Sequence, residues 1–164
     1  MVYVDNPILK EFLVESLENL SSISEELTRY ESESDNQSDP DLIHSIYRKV
    51  HTLKGSASFL AFSKLEGLTH SVETILDHFR EGTLKPTGDM IDLLLESFDR
   101  CHDVVRKIED SGNEGIEIYT TLSGKLVTLL EQQLLNEKTA PFETVSDYPG
   151  DILESKKAAN EEAA

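Results

Sequence analysis

Apolar residues recur along this chain at steps of three and four, the spacing of one face of a helix, and no stretch alternates as a strand would. A first helix is expected from about Pro7 to Tyr30, with Asn6 as N-cap, Pro7 at its first position and a buried stripe of Leu13, Leu17, Leu20, Ile23 and Leu27. The acidic, serine-rich stretch 31–39 has no apolar residue and reads as a solvated loop. Asp39-Pro40 then opens a second helix whose stripe is Ile43, Ile46, Val50, Leu53, Ala57 and Leu60. Ser63-Lys64-Leu65-Glu66 has the form of a capping box. It predicts a third helix with Leu65, Leu68, Val72, Ile75, Leu76 and Phe79 inward, ended by Gly82. A fourth helix is expected from about Gly88 to Asp110, with Ile91, Leu94, Phe98, Cys101, Val105 and Ile108 inward and Gly112 as its stop. A fifth is expected from about Glu114 to Asn136 on a spine of Leu122, Leu126 and Leu129. Short connections after the second, third and fourth helices favour antiparallel neighbours. The fold expected is therefore all-α: an antiparallel up-down four-helix bundle with a fifth C-terminal helix. The bundle should occupy residues 1–137. Residues 138–164, with two prolines and no sustained apolar period, read as a disordered acidic tail or a linker to a further domain.

Charge narrows the partners. The chain has 164 residues and a formal net charge of −17, which argues against nucleic acid and anionic membrane surfaces as ligands. No apolar run approaches the ~18 residues of a membrane span, and the N-terminus lacks the pattern of a secretory signal. One cysteine, Cys101, allows neither an internal disulfide framework nor a cysteine-based zinc site and suits a reducing cytoplasm. The five histidines include no Glu-x-x-His and no His-x-x-x-His pair, so no bound metal is expected; His78 and His102 read as ordinary helix residues.

The candidate chemistry lies in the second helix, in His51-Thr52-Leu53-Lys54-Gly55-Ser56-Ala57. Helical spacing puts His51, Lys54, Gly55 and Ser58 on one face beside the buried stripe, which leaves His51 partly exposed. A nucleophilic imidazole needs that: one nitrogen open, the ring held by packing. Lys54 would set a positive charge near phosphoryl oxygens. Gly55 sits in a helix interior, where glycine costs about 1 kcal/mol relative to alanine. Close approach of a partner explains it, and so does packing against another helix. From Ile43 to Leu65 there are four basic residues (Arg48, Lys49, Lys54, Lys64) and no acidic one. Such an island would favour a phosphoryl group or an acidic partner, although charge alone does not separate this from a solvated basic face. On the third helix His70 and Glu73 face the same way. A carboxylate there that accepts the Nδ1 proton of His51 would leave Nε2 nucleophilic, whereas spacing alone is equally met by a solvated glutamate.

The segment 51–82, HTLKGSASFLAFSKLEGLTHSVETILDHFREG, resembles histidine phosphotransfer (HPt) domains. It is most like the N-terminal phosphotransfer domains of chemotaxis histidine kinases of the CheA type. The core H-x-x-K-G-[small]-[small] continues into L-T-H-x-x-E-x-x-L-D-x-x-R-x-G, and 89–99 follows the same pattern. The resemblance implies that His51 is phosphorylated at Nε2, that Glu73 orients it, and that Lys54 and His70 neighbour the phosphoryl group. Gly55, Ser58, Arg48 and His44 would flank the docking face. Ser56-Ala57-Ser58 stands where chemotaxis kinases often carry more glycine, which bears on the partner that fits. The implied partners are a histidine kinase catalytic domain and response-regulator receiver domains, CheY-like or CheB-like. The eight glycines form no phosphate-binding loop, so ATP and Mg²⁺ would arrive with those partners and the chain would catalyse nothing alone. The competing expectation is a helical docking or inhibitory module that carries no phosphate.

Overall fold

The computed structural model describes residues 6–33 and 39–139. Five α-helices follow one another: α1 (Pro7–Glu33), α2 (Pro40–Phe59), α3 (Ser63–Glu81), α4 (Gly88–Ser111) and α5 (Thr120–Thr139). Among the described residues there is no strand. The tail expected from 138 lies outside the described residues from 140 onward.

α1 begins as the sequence predicts, with Asn6 Oδ1 accepting the Ile8 N–H at 3.0 Å. It runs three residues past Tyr30, because neither glycine nor proline in 31–33 stops it. Asp39 caps α2 by accepting the Asp41 N–H at 3.0 Å. α2 then closes in a tight reversal: Ala61 N–H donates to the Ser58 carbonyl at 3.1 Å and Phe62 N–H to the Ala57 carbonyl at 2.8 Å. This pair of bonds is a Schellman motif, with Ala61 at φ 60 in the position that usually takes glycine.

The capping box expected at Ser63 does not form. The Phe62 carbonyl already accepts the Glu66 N–H at 2.9 Å, so Ser63 lies inside the helix and its hydroxyl caps nothing. The free Leu65 N–H is taken instead by Glu114 Oε1 at 2.7 Å, from the connection between α4 and α5. That contact also explains why α5 starts at Thr120 and not at Glu114. Residues 112–119 are tied down as an irregular strap, Glu114 on Leu65, Gly115 O on the Lys64 ammonium and Glu117 on Lys107 at 2.6 Å. Gly82 and Gly112, at φ 69 and 75, end α3 and α4 in the left-handed conformation that only glycine adopts readily.

α1 packs against α2 and α4, and α3 against the same two, so four helices close a ring. α5 lies outside it against α3 and α4. Ser45 of α2 meets Glu26 of α1 at 3.4 Å, and Lys49, one turn further on, also reaches Ser22, one turn further back, at 2.7 Å, so these helices run antiparallel. α2 and α3 form an antiparallel hairpin through the reversal at 60–62. Inside are Leu20, Ile23, Leu27, Ile46, Val50, Leu53, Ala57 and the whole expected stripes of α3 and α4. Three expected core residues sit at its edge: Leu13, Leu17 and Leu60 are half-buried. In α5 the spine is Leu122, Leu126 and Leu130, steps of four, with Leu129 on the flank. Cys101 is buried, and burial pushes its thiol up to about 12, so it stays protonated and inert at neutral pH.

Candidate functional site

The hairpin of α2 and α3 brings two heptads face to face. Tyr47, His51 and Lys54 lie at i, i+4 and i+7 on α2; Glu73, Asp77 and Arg80 have the same spacing on α3. Because the helices are antiparallel, the middle and end of one triplet meet the start of the other. His51 Nδ1 lies 3.1 Å from Glu73 Oε1. The Lys54 ammonium straddles the same carboxylate, 3.0 Å from Oε1 and 2.9 Å from Oε2.

Burial divides the labour. The His51 side chain is 61% exposed, while that of Glu73 is 12% exposed. Glu73 is thus not the solvated glutamate that its polarity suggests, nor is it off the inward surface; it is a buried carboxylate with two partners. Burial alone would raise its pKa, but the hydrogen bonds from Lys54 and His51 and their charges outweigh that, so its carboxyl titrates below the ordinary glutamate value. Glu73 is therefore ionised at neutral pH. An ionised carboxylate only accepts, so Nδ1 carries the proton and the neutral ring keeps its lone pair on Nε2. Among the described residues no hydrogen bond reaches Nε2.

Two contributors were not legible as site residues. The Tyr47 ring stacks on the His51 ring, centroids 6.0 Å apart and planes 16° from parallel. The Arg80 guanidinium lies 4.4 Å from the centre of the Tyr47 ring. The available signal was Tyr47 one turn before His51 on the same face, and Arg80 two turns after Glu73.

The remaining sequence candidates fall in two groups. His44, Arg48, Gly55 and Ser58 are all exposed on α2 and flank His51 on both sides. A Cβ built on Gly55 meets nothing within 4 Å, so Gly55 is not a helix-packing glycine. His70 is exposed one turn before Glu73, and among the described residues no hydrogen bond joins its ring to the His51, Glu73 and Lys54 cluster. The basic island is largely consumed within the fold: Lys49 pairs with Glu26, Lys54 with Glu73, and Lys64 donates to the Gly115 carbonyl. Arg48 remains exposed. No described helix is long and apolar enough to cross a membrane.

The chain is similar to known proteins in sequence and in fold. CheA of Bacillus subtilis is 36% identical over 121 residues, which is 74% of this chain and 17% of that protein. The sensor histidine kinase CheAY of Helicobacter pylori is 36% identical over 107 residues, 65% of this chain and 13% of that one. The match therefore spans 17% and 13% of the length of these curated relatives. The solution structure of the histidine phosphotransfer domain of CheA superposes with a TM-score of 0.66 at 32% identity, covering 74% of this chain and 90% of that one. The fold is also that of the phosphorylated P1 domain of CheA3 from R. sphaeroides, solved in complex with CheY6 (TM-score 0.68, 19% identity, 77% and 97% covered). The Hpt domain family matches residues 7–109, well over half of the sequence, and the chain belongs to that family.

Proposed function

We propose that this chain is the phosphoacceptor and phosphodonor of a cytoplasmic, chemotaxis-type two-component system, with His51 as the residue that carries the phosphoryl group. The observation that carries the reading is the His51–Glu73 hydrogen bond at 3.1 Å on a ring that is mostly exposed and has no described hydrogen bond at Nε2. The Nε2 lone pair attacks the γ-phosphorus of ATP held by a histidine kinase domain. A P–N bond forms as the P–O bond to ADP breaks, and ADP leaves with the electron pair. The Nδ1 proton stays on the ring, and the positive charge that develops there lies against the Glu73 carboxylate. On handover an aspartate oxygen of a receiver domain attacks phosphorus, and the P–N pair returns to Nε2. ATP and Mg²⁺ enter with the partners: the kinase domain holds the nucleotide, and the regulator brings the metal beside its aspartate.

The relatives support this reading, since both are chemotaxis or sensor kinases by name, and the CheA3 domain is itself phosphorylated and seated on CheY6. The receiver domain would dock over the exposed α2 face, where Gly55 and Ser58 on one side and Arg48 and His44 on the other surround His51. Lys54 neutralises Glu73 in the resting state and would turn toward the phosphoryl group once it is bound; His70 would contribute from the exposed side of α3.

The deciding experiment is His51→Gln incubated with labelled ATP and the kinase domain of a CheA relative. Acid-labile label on the parent and none on the variant, at equal helical content, is the expected result. Label retained on the variant would move the phosphorylated residue to His70 or His44.

A further inference from the structure

Among the described residues the His51 ring makes one hydrogen bond, and its side chain is mostly in solvent. A single bond at Nδ1 fixes where one ring atom lies but leaves the imidazole free to swing about it. The second support comes from the other half of the heptad pairing. Tyr47 lies one turn earlier on α2, and its ring lies beside the imidazole, nearly parallel to it with centroids 6.0 Å apart. Tyr47 is itself held from across the hairpin. The Arg80 guanidinium sits 4.4 Å from the ring centre, a distance at which a cation is attracted to the aromatic face. Arg80 is in turn anchored by Asp77 Oδ1 at 2.6 Å, one turn back on α3.

We propose that Tyr47 and Arg80 are positioning residues for the phosphorylated histidine: Asp77 fixes Arg80, Arg80 fixes the Tyr47 ring, and the ring holds the His51 imidazole with Nε2 turned outward. This rests on His51 being the phosphorylated residue. Glu73 then sets the proton on Nδ1, and the aromatic stack sets the direction in which Nε2 points. Neither residue touches the phosphoryl group, and the phenol hydroxyl has no part in the effect, so a phenylalanine at position 47 should serve as well as the tyrosine.

The test uses the full chain and phosphoramidate, a small donor that needs no docking partner. In Arg80→Leu and in Tyr47→Leu, NMR three-bond couplings should show His51 passing from one χ1 rotamer to a mixture. The saturating rate of phosphorylation should fall roughly three- to tenfold, the size expected for loss of one aromatic or cation–π contact, with the half-saturating phosphoramidate concentration unchanged. Tyr47→Phe should restore both readouts. Thermal melting of each variant separates this from unfolding, and Tyr47→Leu decides the matter if Arg80→Leu does not fold. Variants that melt like the parent, keep one His51 rotamer and react at the parent rate would overturn the relay. If the parent takes no phosphate on His51, the proposed function fails, and the rotamer measurement still judges the relay by itself.

Discussion

Glu73 Oε1 accepts from His51 on one side and from Lys54 on the other, so one buried oxygen couples the exposed imidazole to a cation three residues further along the same helix. Removing that carboxylate has two effects. Glu73→Ala leaves Nδ1 without its acceptor and Lys54, whose side chain is only a quarter exposed, without its counter-ion. A hydrogen bond to a charged group contributes about 1.5–3 kcal/mol, so phosphorylation of His51 should slow by roughly 10- to 150-fold. Unfolding stability should fall by about 1–3 kcal/mol as well, since Glu73 is buried. Label incorporation and urea unfolding on the same variant check both, and an unchanged rate would return Glu73 to a purely structural role.

The same pair predicts a pH dependence. Folding lowers the pKa of Glu73, so the unfolded chain holds that proton more tightly than the native one. The pair's contribution to stability is therefore complete above the ordinary glutamate value and is lost as pH falls through the lowered native value. Glu73→Gln lacks this titration. The stability difference between parent and Glu73→Gln should be constant near neutrality and shrink between about pH 5 and pH 3. Urea titrations across that range are the measurement, and a difference that grows on acidification would contradict the assignment.

Periodicity made the bundle legible because every helix that builds the ring buries one face. The stripes of α3 and α4 could be read residue by residue: Leu65, Leu68 and Val72, or Ile91, Leu94 and Phe98, have no other environment available to them. The misreadings share a different cause, a partner far away in sequence. Ser63 and Glu66 match a capping box, but the reversal at Ala61 starts α3 early and hands the Leu65 N–H to Glu114. The end of α2 carried no signal, because an alanine occupies the left-handed position. Of the site, His51, Lys54 and Glu73 can be picked out from the sequence, but the burial of Glu73 cannot, since polarity points to solvent unless both partners are known. Tyr47 and Arg80 act through a ring contact across the hairpin, which no spacing on one helix displays.

That exchange of caps can be measured. Glu114→Ala removes the side chain that accepts the Leu65 N–H and should lower stability by about 0.5–2 kcal/mol, the usual size of an N-cap loss. Ser63→Ala, the substitution that a capping box would make costly, should change stability by less than about 0.5 kcal/mol. Urea unfolding of the two variants side by side gives the comparison. The opposite order would restore the capping box.

Gly55 separates docking from packing. Its Cβ position is open, and the groove beside it, between Phe12, Phe59 and Leu60, leaves room for a longer side chain. Replacing glycine by leucine in a helix interior removes a propensity penalty of up to about 1 kcal/mol, so Gly55→Leu should be at least as stable as the parent. Yet the leucine stands one turn from His51, on the face over which the proposed receiver domain would bring its aspartate to the phosphoryl group. Transfer from phosphorylated Gly55→Leu to a CheY-like regulator should therefore fall sharply while melting temperature holds or rises. A packing glycine would show the reverse, because overpacking destabilises by roughly 1–3 kcal/mol. A variant that melts lower than the parent and still transfers at the parent rate would defeat the docking assignment and leave Gly55 as part of the bundle alone.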